Sequence, residues 1–192
     1  MIFEYWHPTI ISYSDNPFHK DIEKKLIEYC FQLEKEKERG GHNWISKGVY
    51  NTHHTHNIIN DINFKKINDW VMEESNKYCK KIESVDTVKL QNGWFNIYEK
   101  KDFQEFHTHP GSTLSAIYIL KCDEVNGART IFETYSPENF LDLKCPTNDR
   151  LIHYKSKPGR LLLFKSTLRH CVEQHQIDDS RITIAYNLIK NS

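Results

Sequence analysis

Residues 88–121 read VKLQNGWFNIYEKKDFQEFHTHPGSTLSAIYILK and contain three segments that we predict to be β-strands. Turn-forming residues separate these segments, and short β-rich segments follow at similar spacing as far as residue 189. The predicted strands cover residues 88–98, 104–109, 113–121, 129–134, 150–155, 160–164, 168–173 and 181–189. Seven or eight short strands at this spacing are typical of a β-sandwich or jelly roll.

Two amphipathic helices are predicted before these strands. The first begins at Asn16-Pro17, a favoured pair for a helix start, and ends at Gly40-Gly41. The second begins near Asn63. Because each helix is apolar along one face only, we expect both to pack on a sheet rather than form a separate core. The order of helices and strands predicts an α+β fold, with N-terminal helices packed on one sheet of a jelly roll.

Length and charge limit the number of domains and the partners. A chain of 192 residues predicts a single domain over residues 1–192, with an N-terminal strand and helices in 1–85 and the β core in 86–192. The 26 basic and 26 acidic residues give zero net charge, which argues against nucleic acid as the main partner. The longest apolar runs have the length of a strand, so no membrane partner is expected.

Cysteine number and the N-terminal residues bear on the compartment. The five cysteines are odd in number and form no Cys-x-x-Cys pair, so neither a disulfide framework nor a zinc ribbon is indicated. The first residues lack the basic start and apolar stretch of a signal peptide. We therefore expect a cytoplasmic protein, in a bacterium or in the host cell of a virus.

The histidines at 107, 109 and 170 form a candidate metal site. His107 and His109 lie two residues apart in a predicted strand, so their side chains point to one face. His170 follows roughly 60 residues later, and the returning strands of a jelly roll can bring it to the same metal. Three ligands on one side leave the opposite positions open, as non-haem Fe(II) oxygenases require. Arg181, eleven residues beyond His170, could bind a carboxylate through its planar fork.

Several motifs in this order resemble the Fe(II)/2-oxoglutarate-dependent oxygenases. They are Asn96-Ile97-Tyr98, His107-Thr108-His109-Pro110-Gly111-Ser112, Leu114-Ser115-Ala116-Ile117-Tyr118, Gly159-Arg160-Leu161-Leu162-Leu163-Phe164-Lys165-Ser166, His170 and Arg181-Ile182-Thr183. The chain looks most like a small branch common in phages and marine bacteria, marked by His-x-His-Pro and a closing Arg-x-Ser/Thr. The resemblance covers about residues 94–189, and it implies a double-stranded β-helix, which is the jelly roll predicted above.

The resemblance also implies roles for individual residues. Fe(II) would be held by His107, His109 and His170. The co-substrate 2-oxoglutarate would be bound through its distal carboxylate by Arg181, supported by the hydroxyl of Thr183. Three further candidates for binding the co-substrate are Tyr118, Asn96 and Tyr98.

His109 departs from the wider superfamily, in which this position is Asp or Glu. Three interpretations are open. His109 ligates the metal; it points away and leaves two histidines with water; or a carboxylate such as Glu105 or Glu133 completes the set. We favour ligation, because the period of a strand permits it and the resembling branch has the same residue there.

The resemblance predicts an oxygenase that hydroxylates an unidentified substrate, a small molecule or a protein side chain, and releases succinate and CO₂. One alternative is a three-histidine, cupin-like metalloenzyme that does not use 2-oxoglutarate, although such a site needs no Arg181. Another is a non-catalytic jelly-roll binding protein. The oligomeric state is open, with a homodimer as one option.

Two further groups receive no catalytic role. The tract His53-His54-Thr55-His56 has no Cys or carboxylate next to it, so we predict a solvated loop beside the mouth of the site. The aromatic residues Trp94, Phe95, Phe103 and Phe106 are expected in the core rather than against the substrate.

Overall fold

Twelve helices and strands make up the described part of the chain, residues 9–84, 86–134 and 150–191 of a computed structural model. In chain order they are β1 Ile11–Asp15, α1 His19–Glu36, β2 Tyr50–Asn51, α2 Lys65–Lys81, β3 Val88–Tyr98, β4 Gln104–His107, β5 Leu114–Lys121, β6 Thr130–Glu133, β7 Leu151–Tyr154, β8 Arg160–Lys165, β9 His170–Val172 and β10 Arg181–Lys190. Two 3-10 turns, Ile58–Asn60 and Ile62–Phe64, lead into α2.

The strands form two antiparallel sheets that face each other. One sheet has the order β1-β8-β5-β10-β3-β2 and the other has the order β4-β9-β6-β7. This is the predicted α+β jelly roll, and each of the eight predicted strands is present with ends that differ by a few residues. The N-terminal β1 and β2 occupy the two edges of the larger sheet, where they pair with β8 and β3.

Both helices pack on the outer face of the larger sheet, as predicted. The buried hydrophobic cluster that joins them to the sheet contains Leu26, Cys30, Leu33, Phe64, Ile67, Trp70, Val71, Tyr78, Phe95, Ile97, Tyr118, Leu120, Ile182, Ile184 and Tyr186, among others. Burial of this cluster is the main contribution to helix stability, because helices in proteins are stabilised mostly by packing of their apolar face. Neither helix gains further stability from a side-chain hydrogen bond at its N-cap.

The first helix is shorter than the sequence suggested. It begins at His19, after a turn in which Asn16 accepts the backbone amides of Phe18 and His19, and it ends at Glu36. The predicted end at Gly40-Gly41 is wrong. The Gly40 amide instead donates to Asn51, and a Cβ on Gly40 would lie 2.0 Å from the His53 carbonyl oxygen. The glycine therefore permits a close approach between two loop segments.

Alternation along β3 separates the helix-side core from the interior of the sandwich. Phe95 and Ile97 face the helices, whereas Trp94, Asn96 and Tyr98 line a cavity between the sheets. The space beside this cavity is filled by a second apolar cluster, which consists of Ile117, Ile119, Phe132, Leu162 and Phe164. The sandwich is thus packed at one end and open at the other, where the predicted site residues lie.

Two expectations from the sequence concern cysteines and membranes. Four of the five cysteines lie in the described segments, and all four are free thiols. No helix in those segments is both long enough and apolar enough to cross a bilayer.

Candidate metal and co-substrate site

Three histidines from different parts of the chain meet at the open end of the sandwich. His107 at the end of β4 is the register partner of His170 on β9. His109 follows two residues after His107, and its backbone amide donates to the Ser166 carbonyl at 2.9 Å. The potential ligand atoms of the three side chains all lie within 4.8 Å of one another. The structure therefore brings together the three residues that the sequence indicated, although β4 ends at His107 and His109 lies just beyond the strand that was predicted to carry both.

The hydrogen bonds behind the imidazoles fix which nitrogen faces inward. Nδ1 of His107 donates to the backbone carbonyl of Glu105 at 2.7 Å, and Nδ1 of His170 donates to that of Leu168 at 2.9 Å. Nδ1 of His109 donates to Oδ1 of Asn187. Because a carbonyl oxygen only accepts, each Nδ1 carries the proton and each Nε2 keeps its lone pair. A set of three such nitrogens fits a transition-metal ion.

Burial keeps these histidines in the form that binds metal. It lowers the pKa of His107, lowers that of His109 to about 4, and holds that of His170 well below its ordinary value. Their mutual repulsion when charged acts in the same direction on His109 and His170. All three imidazoles are therefore neutral at pH 7, and only neutral imidazole can ligate.

Both carboxylates that could have replaced His109 have other partners. The Glu105 carboxylate accepts the Ile45 backbone amide at 2.8 Å and the Gln104 side-chain amide at 2.7 Å. Glu133 lies between Arg150 and Arg169 and pairs with both. In the described segments, the group able to hold a metal consists of the three histidines alone.

Arg181 lies in the wall of the same cavity, which has a volume of about 370 Å³. Its guanidinium is completely buried; Nε donates to Ser156 Oγ and Nη2 to Thr130 Oγ1, each at 3.2 Å. The Tyr98 ring lies 5.1 Å from the guanidinium carbon. Among the described residues, Nη1 has no hydrogen-bond partner and no acidic side chain pairs with Arg181. A buried cation with an unpaired N–H fits a carboxylate ligand.

Thr183, Asn96 and Tyr98 line the cavity next to Arg181. Register pairs Thr183 with Asn96 and Arg181 with Tyr98 across β10 and β3. The Asn96 amide nitrogen donates to Thr183 Oγ1 at 3.1 Å, while its buried Oδ1 has no partner within residues 9–84, 86–134 and 150–191. These polar groups form a row that leads from Arg181 toward the histidines.

Residues 92–187, half of the chain, match the family described as "Putative 2OG-Fe(II) oxygenase". The chain belongs to this family. It is thus an Fe(II)- and 2-oxoglutarate-dependent oxygenase, and this membership decides against both the cupin-like and the non-catalytic alternative. A search of curated proteins gives no significant match.

Solved structures share the fold of this oxygenase at low sequence identity. A prolyl-4-hydroxylase from Pseudomonas putida is 12% identical with a TM-score of 0.67, over 96% of this chain and 94% of that one. A Trichoplax adhaerens prolyl hydroxylase, in complex with a hypoxia inducible factor oxygen degradation domain peptide, is 14% identical with a TM-score of 0.68, over 93% and 83%. HygX from Streptomyces hygroscopicus, with nickel and 2-oxoglutarate bound, is 11% identical with a TM-score of 0.61, over 94% and 82%.

Tyr118 does not belong to the cavity of the oxygenase, so its predicted contact with the co-substrate is wrong. Its hydroxyl meets Asn16 Nδ2 at 3.2 Å and His19 Nδ1 at 2.8 Å, and its ring packs against Trp70. Strand β5 alternates between faces, and at this position the side chain points to the helices. Ile117, one residue earlier, lines the cavity instead.

Two residues of the oxygenase site were missed by the sequence reasoning. Trp94 was expected in the core, yet it lines the cavity with its ring centroid 5.7 Å from that of His109. Asn187, the partner of His109, received no role. Both could have been found from the two-residue period of a strand. Trp94 shares a face with Asn96, and Asn187 shares a face with Arg181 and Thr183.

The other histidine tract lies beside the cavity, as predicted, but only part of it is solvated. His53 and His54 line the cavity, and the His53 ring lies 4.6 Å from that of Trp94. Burial lowers the pKa of His53 to about 4. His56 points elsewhere and contacts Asp61 at 2.8 Å.

Proposed function

We propose that this oxygenase binds Fe(II) through Nε2 of His107, His109 and His170 and binds the distal carboxylate of 2-oxoglutarate through Arg181. The observation that carries the proposal is the pattern of hydrogen bonds. Each of the three imidazoles uses Nδ1 for a carbonyl oxygen and keeps Nε2 free, while Nη1 of Arg181 is unpaired in the same cavity.

The chain's own residues bind, orient and exclude water. When bound, Fe(II) and 2-oxoglutarate supply an oxidation by O₂ that converts 2-oxoglutarate to succinate and CO₂ and inserts one oxygen atom into a substrate C–H bond. The histidines hold the ion, and the Nδ1 bonds keep their rings from turning. Arg181 and Thr183 orient the co-substrate, with Asn96 and Tyr98 as neighbours. Burial of Arg181 strengthens its attraction for a carboxylate, because water is excluded around it.

The substrate is proposed to be a small molecule or a protein side chain. Support comes from the cavity, which is lined by the aromatic rings of Trp44, His53 and Trp94. One similar structure holds a peptide fragment in its complex. The zero net charge favours these classes over nucleic acid.

We also propose a single domain over residues 1–192, since β1 and β2 pair with strands of the core. A cytoplasmic location is proposed from the odd number of cysteines. A homodimer is retained as one option.

Succinate formation tests this function. The protein is incubated with Fe(II), 2-oxoglutarate and air, and succinate, the product formed from the co-substrate, is quantified by mass spectrometry. We expect succinate from the parent chain and from His153→Ala, which changes an exposed histidine of β7 that does not line the cavity. We expect none above background from His170→Ala. Equal succinate from His170→Ala and the parent would refute the assignment.

A further inference from the structure

The metal-binding group carries no negative charge from the protein. Its three ligands are neutral imidazoles, and the oxygens behind them are two backbone carbonyls and the Asn187 side-chain amide. The nearest carboxylate in sequence, that of Glu105, lines the cavity, but it is hydrogen-bonded to the Ile45 and Gln104 amides and does not lie behind a ligand. Within residues 9–84, 86–134 and 150–191, neither the ligands nor the groups behind them therefore offset the charge of a bound cation.

Arg181 adds a positive charge to the same cavity. Its partners are the hydroxyls of Ser156 and Thr130 and the ring of Tyr98, and no acidic side chain of the described segments pairs with it. A divalent ion would bring two further positive charges into the same low-dielectric space. Bringing like charges together away from water is unfavourable unless an anion accompanies them.

Asn187 maintains the neutral character of the metal site. Its Oδ1 accepts from His109 Nδ1 and from Ser115 Oγ at 3.4 Å, and Ser115 Oγ lies 2.9 Å from Ser166 Oγ. This chain of hydrogen bonds orients the amide so that it offers an acceptor without a charge. A carboxylate at position 187 would keep the acceptor and place an anion directly behind a ligand.

The proposed function puts the dianion of 2-oxoglutarate beside both the metal ion and Arg181. We infer that His109 and Asn187, which keep the protein's own contribution uncharged, make the binding of metal and co-substrate strongly interdependent. The inference rests on the proposed function, because it requires the three-histidine metal site. A coupling between two ligands is reciprocal, so the co-substrate must increase metal affinity by the same factor as the metal increases co-substrate affinity.

Binding of Mn(II) tests the coupling without turnover. Free Mn(II) is measured by electron paramagnetic resonance during titration of the whole chain, with and without saturating 2-oxoglutarate at constant ionic strength. For the parent chain, we expect 2-oxoglutarate to lower the Kd for Mn(II) by a factor near the upper end of the usual range of about 5–150. In His109→Asp and Asn187→Asp, we expect tighter Mn(II) binding without 2-oxoglutarate and a coupling factor about tenfold smaller than in the parent, because the protein now supplies an anion.

The Asn187→Leu variant distinguishes the effect of charge at position 187 from the effect of orienting the His109 ring. It removes the acceptor without adding charge, so we expect weaker Mn(II) binding with and without 2-oxoglutarate and an unchanged coupling factor. Circular dichroism at the titration temperature checks that each variant is folded. The inference is overturned if the parent binds both ligands but its coupling factor does not exceed that of His109→Asp. A parent chain that binds no Mn(II) under either condition overturns the inference and the proposed function together.

Discussion

The two-residue period of a strand predicts which side chains of the site share a face. It does not predict which of the two faces points into the cavity. His107, Arg181 and Thr183 lie on polar or mixed strands, where alternation identifies one face, and His109 lies two residues beyond the end of β4. Strand β5 reads LSAIYILK and is apolar on both faces, so nothing in it tells that Tyr118 points to the helices. Only pairing with β8 and β10 settles the orientation, and pairing is a long-range property.

Arg181→Ala is predicted to weaken co-substrate binding while leaving the three metal-ligating histidines in place. Removal of the guanidinium leaves the distal carboxylate in a buried cavity without its charged partner, so we expect the Kd for 2-oxoglutarate to rise by about two orders of magnitude. The measurement is isothermal titration calorimetry with Mn(II) present. Arg169→Ala, which removes a half-exposed arginine that pairs with Glu133, is the matched control and should bind normally. An unchanged Kd in Arg181→Ala would show that the anchor lies elsewhere.

At the scale of elements, α1 is held on the sheet by apolar contacts and by a small polar cluster. Asn16, His19 and Tyr118 meet where the turn before α1 lies against β5. The position of this cluster could not be derived from the sequence, because the partners are separated by about a hundred residues. The two-residue strand β2 was also missed, since two residues are too few to show alternation.

Tyr118→Phe is predicted to reduce stability and to leave co-substrate affinity unchanged. Loss of the hydroxyl leaves buried groups of Asn16 and His19 without this partner, which costs about 1–3 kcal/mol in the free energy of unfolding. Urea denaturation measures the loss, and titration with 2-oxoglutarate measures affinity. Tyr13→Phe, at an exposed ring, is the control and should change neither quantity. Weaker 2-oxoglutarate binding in folded Tyr118→Phe would restore its first assignment.

The edge strand β1 is predicted to loosen in acid. Hydrogen bonds and charge from Arg160 and Lys157 lower the pKa of Asp15 from 3.8 to about 2. The native state therefore binds this proton less readily than the unfolded chain, and the stability from Asp15 is complete above pH 4 and lost as pH falls toward 2. Because the carboxylate is 43% exposed, solvent screening limits this contribution to less than about 1 kcal/mol.

Asp15→Asn isolates this contribution. The parent chain should lose more stability than Asp15→Asn between pH 5 and about 2.5, measured by urea unfolding at each pH. Parallel pH profiles for the two chains would show that the Asp15 cluster adds no stability.

At the scale of the whole molecule, the order of helices and strands predicted the architecture because each layer has a simple pattern. Helices that are apolar on one face only must pack that face on a sheet, and many short strands must pair into the two sheets of a sandwich. The open end of the sandwich, with its row of polar side chains along β3 and β10, was visible as a spacing of residues. The walls of the cavity could not be predicted from the sequence. The loop that carries Trp44 and His53 shows no repeating pattern of apolar residues, and it reaches the cavity only through tertiary packing.

The ligand set of the metal is the central claim, and a crystal structure with Mn(II) and 2-oxoglutarate tests it most directly. We predict that Nε2 atoms of His107, His109 and His170 coordinate the ion at about 2.0–2.3 Å. We also predict that Nη1 of Arg181, unpaired in the structure described above, meets the distal carboxylate of the co-substrate. A metal bound by His107 and His170 with a water molecule or the Glu105 carboxylate in place of His109 would contradict the account.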